Sequence, residues 1–156
     1  MPMTSSERKD YILRMIEQIQ RLVAEMMGRV RDGGTPDELL AQARASVGEL
    51  LGPLAGVAPR MDSATAGQMV GDPDVLYAWA QVVRAEAGLH HARGDASHAA
   101  VSARRALELA LEAHLRTTRD RPELLALIAA LRPSVDPAAL APRHGDALAG
   151  LPAAAS

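Results

Sequence analysis

Apolar positions early in the chain recur every three or four residues, at Ile12, Met15, Ile16, Ile19, Val23, Met26 and Val30, with Arg14, Glu17, Arg21 and Glu25 between them. That spacing predicts an amphipathic helix. Thr4-Ser5-Ser6-Glu7 marks its start as a capping box, and Gly33-Gly34 marks its end. A second start follows at Thr35-Pro36-Asp37-Glu38, and Leu39, Leu40, Ala43, Val47, Leu50 and Leu51 form the stripe of a helix that stops at Gly52-Pro53. The pair is expected to make an antiparallel hairpin.

Between Pro53 and Asp72 the periodicity weakens, and a connector is expected with one short helix, capped by Asp62 or Ser63 and running to Val70. Asp72-Pro73 opens the next helix, carrying Leu76, Trp79, Ala80, Val83 and Ala87 towards Gly94. Asp95 caps its successor, whose Ala99, Ser102, Ala103, Ala106, Leu107, Ala110 and Leu111 share a broad face, leaving Arg104, Arg105, Glu108 and Glu112 as an outer, solvated one. Asp120-Arg121-Pro122-Glu123 starts a last clear helix, with Asp120 read as its cap, which ends at Pro133.

This pattern predicts an all-α, compact helical bundle of about five main helices, in a single domain over 4–132. The Ala/Pro-rich remainder, 133–156, is expected to be a partly docked or disordered tail, with only brief helical starts at Asp136-Pro137 and Gly145-Asp146 and no structure over Gly150 to Ser156.

Composition narrows the function classes. The chain is 48% apolar, with no Phe or Cys and only Tyr11, Tyr77 and Trp79 as aromatics, so disulfides and thiolate chemistry are excluded. A net charge of −2 gives no overall drive towards nucleic acid or an acidic membrane. No run approaches the roughly 20 apolar residues of a membrane span, and the amino terminus lacks a signal-peptide stretch, which together predict a cytoplasmic protein.

Two resemblances add to this reading. From Ala80 to Leu111 the chain resembles a degenerate tetratricopeptide unit, with Ala87, Gly94-Asp95, Ala99 and Ala106-Leu107-Glu108-Leu109 at matching places. Val83, His90, Ala103 and Leu111 depart from it, standing where Trp, Tyr, a large aromatic and Pro are usual. The tetratricopeptide-like hairpin spans about 73–118, and no second copy follows, so an extended solenoid is not expected. The segment Asp10 to Ile19, Asp-Tyr-Ile-Leu-Arg-Met-Ile-Glu-Gln-Ile, resembles the opening helix of an uncharacterised bacterial family of small helical proteins. Glu49-Leu50-Leu51-Gly52 and the hairpin continue that likeness, which covers roughly residues 10–130. It implies a fold and brings no activity, cofactor or catalytic residue with it.

Candidate chemistry is sparse. His90, His91, His98 and His114 lack the i, i+3 or i, i+4 partners that chelate one ion, so no metal is expected. Glu86 and His90 are spaced for an ordinary helix pair, and Glu108 and Glu112 read as solvated neighbours. Gly33, Gly34, Gly67 and Gly71 read as helix stops, and Ser5, Ser6 and Ser63 as caps. The basic residues of the first helix interleave with acidic ones, as on a solvated face. No catalytic or cofactor-binding residue is expected. The expected role is a non-enzymatic protein–protein interaction or scaffold module, binding a protein partner or its own copy, with Tyr77, Trp79, Arg84, His90 and His91 as the candidate interaction surface. The alternative is a ligand-binding or enzymatic helical protein with an interhelical pocket.

Overall fold

In the computed structural model, residues 4–152 are described. They form seven α-helices and no strand: α1 Ser5–Arg31, α2 Pro36–Leu51, α3 Ser63–Val70, α4 Pro73–Ala92, α5 Ala96–Leu115, α6 Pro122–Leu131 and α7 Pro142–Ala149. Short 3₁₀ turns at Gly52–Leu54, Ala58–Arg60, Arg132–Ser134 and Pro137–Ala139 fill the connections.

Most starts are set by local chemistry. Thr4 and Glu7 close a reciprocal capping box on α1, with the Glu7 N–H 3.2 Å from Thr4 Oγ1 and the Thr4 N–H 3.3 Å from Glu7 Oε2. Asp62, Asp72 and Asp95 cap α3, α4 and α5 through backbone N–H groups at 2.7, 2.8 and 3.1 Å. Two expected caps differ. Thr35 holds the cap position of α2 without a side-chain bond, and its start rests on Pro36 with Asp37 and Glu38 in the first turn. At α6 the cap position belongs to Arg121 rather than Asp120, and Arg121 is turned outward to pair with Asp74 at the start of α4.

α4 is the centre of the bundle. Eleven of its 20 residues are buried, from Val75 to His90, so it is apolar nearly all round, as a helix enclosed by others must be. α5 lies along it as a close pair, using the small residues Ala103, Ala106, Ala110 and Ala113, all buried. The turn between them places Gly94 at φ +80°, a conformation that costs other residues about 1–2 kcal/mol.

α1 and α2 both rest on α4, and α1 leans only lightly on α2. The two helices run antiparallel as expected, the first turns of α1 beside the end of α2, but they pack chiefly on their shared support rather than on each other. Gly88 explains part of this: a Cβ there would lie 3.0 Å from Met27 Cε, so the missing side chain admits α1 beside the buried Met26.

The tail is ordered further than the sequence suggested. Asp136 caps a 3₁₀ turn through the Ala138 N–H at 2.9 Å, and α7 starts at Pro142, ahead of Gly145-Asp146. α7 packs on α5 and buries His144 and Leu148. The expectation for residues 153–156 lies outside the described residues.

Candidate functional site

Arg105, Glu108, Glu112 and Arg116 follow one another at three or four residues and so form a single stripe along α5. Read as a solvated face, this stripe is instead covered by the connector, α3 and α7. Arg105 Nη1 donates to Met61 O at 2.8 Å and to Ser63 Oγ at 2.9 Å, and Nη2 donates to Ala58 O at 3.3 Å. Its guanidinium sits 5.1 Å from the Trp79 ring centroid, within cation–π range. The Ser63 hydroxyl in turn donates to Glu108 Oε1 at 2.8 Å. The connector and α3 are thus tied to α5 by polar contacts.

Glu112 is the centre of a second cluster and is fully buried. Arg116 Nη1 approaches its Oε1 at 2.5 Å, Arg143 Nε and Nη2 donate to Oε2 and Oε1 at 2.9 and 3.2 Å, and His144 Nε2 lies 2.7 Å from Oε2. An ionised carboxylate only accepts, so the carboxylate contact places the imidazole proton on Nε2; His144 Nδ1 is then buried without a partner. Burial raises the Glu112 pKa, but the bonds from Arg143, Arg116 and His144 outweigh it and hold the carboxyl below its ordinary range. Gly67 makes room for this group. A Cβ on Gly67 would lie 2.8 Å from Glu112 Oε1 and 3.0 Å from both its Cβ and Cγ, so the glycine is a close-approach residue within α3, not a helix stop. With its oxygens engaged by three basic side chains, Glu112 is a clasp joining α5 to α7 rather than a free acid or base.

Two open grooves lie away from this clasp. One, of about 500 Å³, runs between the first turns of α1 and the end of α2, walled by Ile12, Met15, Leu50 and Leu54 with Arg8 and Glu49 at its edges. Tyr11 stands beside it, 46% exposed. No residue from Ser5 to Met15 is fully buried; Ile12 and Met15 are half-buried and pack against the core, leaving the outer side of these turns exposed. The other, of about 430 Å³, lies between α2, α4 and α5 and is lined by Arg44, Val47, Trp79, Val83, Glu86 and Val101.

No family model, curated protein or solved structure matches the chain.

The five residues expected to form an interaction surface separate in the fold. Arg84 and His91 are exposed on α4, whereas Tyr77, Trp79 and His90 are buried. The reason is that α4 is enclosed by its neighbours, so large side chains on it become core. Tyr77 OH accepts from Gln81 Nε2 at 3.2 Å. His90 stacks on His98 with ring centroids 5.3 Å apart, and burial holds it below the ordinary imidazole range. His98 Nδ1 lies 2.6 Å from Asp95 Oδ2, making a surface pair at the hairpin turn. His90 therefore meets His98, and does not pair with Glu86. Among the described residues no group of three His, Asp or Glu side chains converges on a possible metal position. None of the described helices is long and apolar enough to cross a membrane.

Sequence reasoning missed Arg143 and His144 altogether and placed Glu112 on the wrong side of its helix. A signal was present: four charged residues at unbroken helical spacing, and an Arg-His pair directly after the Pro142 helix start.

Proposed function

We propose that this protein is a non-enzymatic interaction module that receives an amphipathic helix of a partner protein in the groove between α1 and α2. The observation that carries this reading is Tyr11, large and exposed at a groove walled by Ile12, Met15, Leu50 and Leu54. Apolar area in a groove is the usual anchor for a helix, and Arg8 and Glu49 at its edges supply charges of both signs to fix the direction of the guest.

On this reading α4 and α5 form a degenerate tetratricopeptide-like hairpin whose role is support. They hold α1 and α2 at the spacing that leaves the groove open, and the binding element includes Asp10 to Ile19, the segment that resembles a bacterial family's opening helix. A cytoplasmic partner protein is the occupant; self-association through α1 is the competing outcome.

The test is affinity enrichment from the source organism with the wild type and with Tyr11→Asp. Residues this exposed are changed with little effect on folding, typically within about 0.5 kcal/mol. The reading expects a protein retained by the wild type and lost by the variant at unchanged melting temperature. Equal retention by both, or a strict monomer that retains nothing, refutes it.

A further inference from the structure

The second groove has an unusual charge arrangement. Glu86 projects from α4 between apolar walls formed by Val47, Val83, Val101 and the edge of Trp79, with Arg44 of α2 lining the same groove. Within the described residues neither Glu86 nor Arg44 makes an ion pair, with each other or with another group, and neither side chain has a hydrogen bond. Arg105, the other cation at this groove, is already engaged by backbone carbonyls and Ser63. Glu86 is half-buried and Arg44 exposed, so the acid loses part of its hydration without a protein partner while the base faces solvent. Burial raises the Glu86 carboxyl above its ordinary range, and the Arg44 charge opposes that rise. Val101, 55% exposed, adds an apolar surface at the mouth.

We propose that this groove binds a free α-amino acid with an aliphatic side chain, its ammonium group on Glu86, its carboxylate on Arg44 and its side chain against Val83, Val101 and Trp79. One unpaired acid and one unpaired base flanking an apolar wall match the three recognition elements of such a zwitterion. The volume, about 430 Å³, accommodates a small ligand with water at the open side. The site shares no residue with the α1–α2 groove, so either proposal can fail alone.

Trp79 is the only tryptophan in the chain, and its emission reports on this groove directly. The experiment titrates the protein with L-leucine, and separately with 4-methylpentanoate, which lacks the amine, and isopentylamine, which lacks the carboxylate. The expected result is a saturable emission change with leucine and binding about 10- to 100-fold weaker for each truncated probe, the loss of one charge-assisted contact. Glu86→Gln and Arg44→Met weaken leucine by a similar factor without lowering the melting temperature, since neither group holds a structural partner. Val101→Arg, at an exposed position, blocks the site by volume and charge if either of those variants folds poorly. No saturable change up to roughly 10 mM leucine, or wild-type affinity in Glu86→Gln and Val101→Arg, overturns the proposal.

Discussion

Glu112→Gln removes the charge at the centre of the clasp while keeping the size of the side chain. In the folded protein the Glu112 carboxylate is fully buried and receives N–H groups from Arg116, Arg143 and His144. Removing one partner of a buried ion pair typically costs about 3–5 kcal/mol, because the groups left behind stay desolvated and uncompensated. Here half of the Arg143 side chain is exposed, so it can return to water and recover part of the loss, whereas His144 cannot. A cost of about 2–4 kcal/mol follows, which for a chain of this size is a fall of roughly 5–15 °C in melting temperature. The assay is urea and thermal unfolding of both proteins at pH 7. A difference under about 0.5 kcal/mol, the value for a solvated glutamate, refutes the clasp. The pH dependence gives an independent sign. The folded carboxyl lies below its ordinary value of 4.5, so its contribution is complete above that pH and drains away as acid carries the pH down through the folded value. The gap between wild type and Glu112→Gln should therefore narrow below pH 4.5 and stay constant above it.

Gly67→Ala should destabilise by about 1–3 kcal/mol despite the better helix propensity of alanine, since its Cβ meets Glu112. In a Glu112→Ala background, which removes the close Oε1 and Cγ contacts, most of that penalty should vanish in a double-mutant cycle. Arg105→Met keeps the stem packed against Trp79 but frees the carbonyls of Ala58 and Met61. It should cost about 1–3 kcal/mol and shift Trp79 emission to the red, and an unchanged spectrum would show that the connector does not depend on it. Gly94→Ala forces a Cβ into a φ of +80° and should cost about 1–2 kcal/mol in denaturant unfolding.

What the sequence disclosed was local. The Thr4–Glu7 box and the caps at Asp62, Asp72 and Asp95 depend on groups within three residues, so their spacing predicts them directly. The burial of an amphipathic stripe was equally legible wherever one face was wholly apolar, as in α2. Glu112 was not, because whether a charged face meets water depends on what lands on it. Its cover arrives from α3, 45 residues upstream by the Ser63–Glu108 bond, and from α7, 32 residues downstream by the His144–Glu112 contact. Trp79 and Tyr77 were misplaced for the same reason: helical periodicity shows which residues share a face, while enclosure of α4 on most sides is a property of the whole packing. The partial exposure of Ile12 and Met15 was also hidden, since they continue the same stripe that Ile16 and Ile19 bury.

The proposed role rests on Tyr11 at the α1–α2 groove, and photo-crosslinking tests it at that residue. Tyr11 replaced by p-benzoylphenylalanine points a reactive ketone at whatever fills the groove, and the same group at Arg119, exposed in the loop before α6, serves as the control. The account predicts an adduct at position 11 only, with its crosslinked peptide in an amphipathic helix of another protein, and loss of that adduct when Met15→Asp polarises the groove wall. Adducts of equal yield at both positions, a crosslink to a second copy of the chain, or none at position 11 would contradict it.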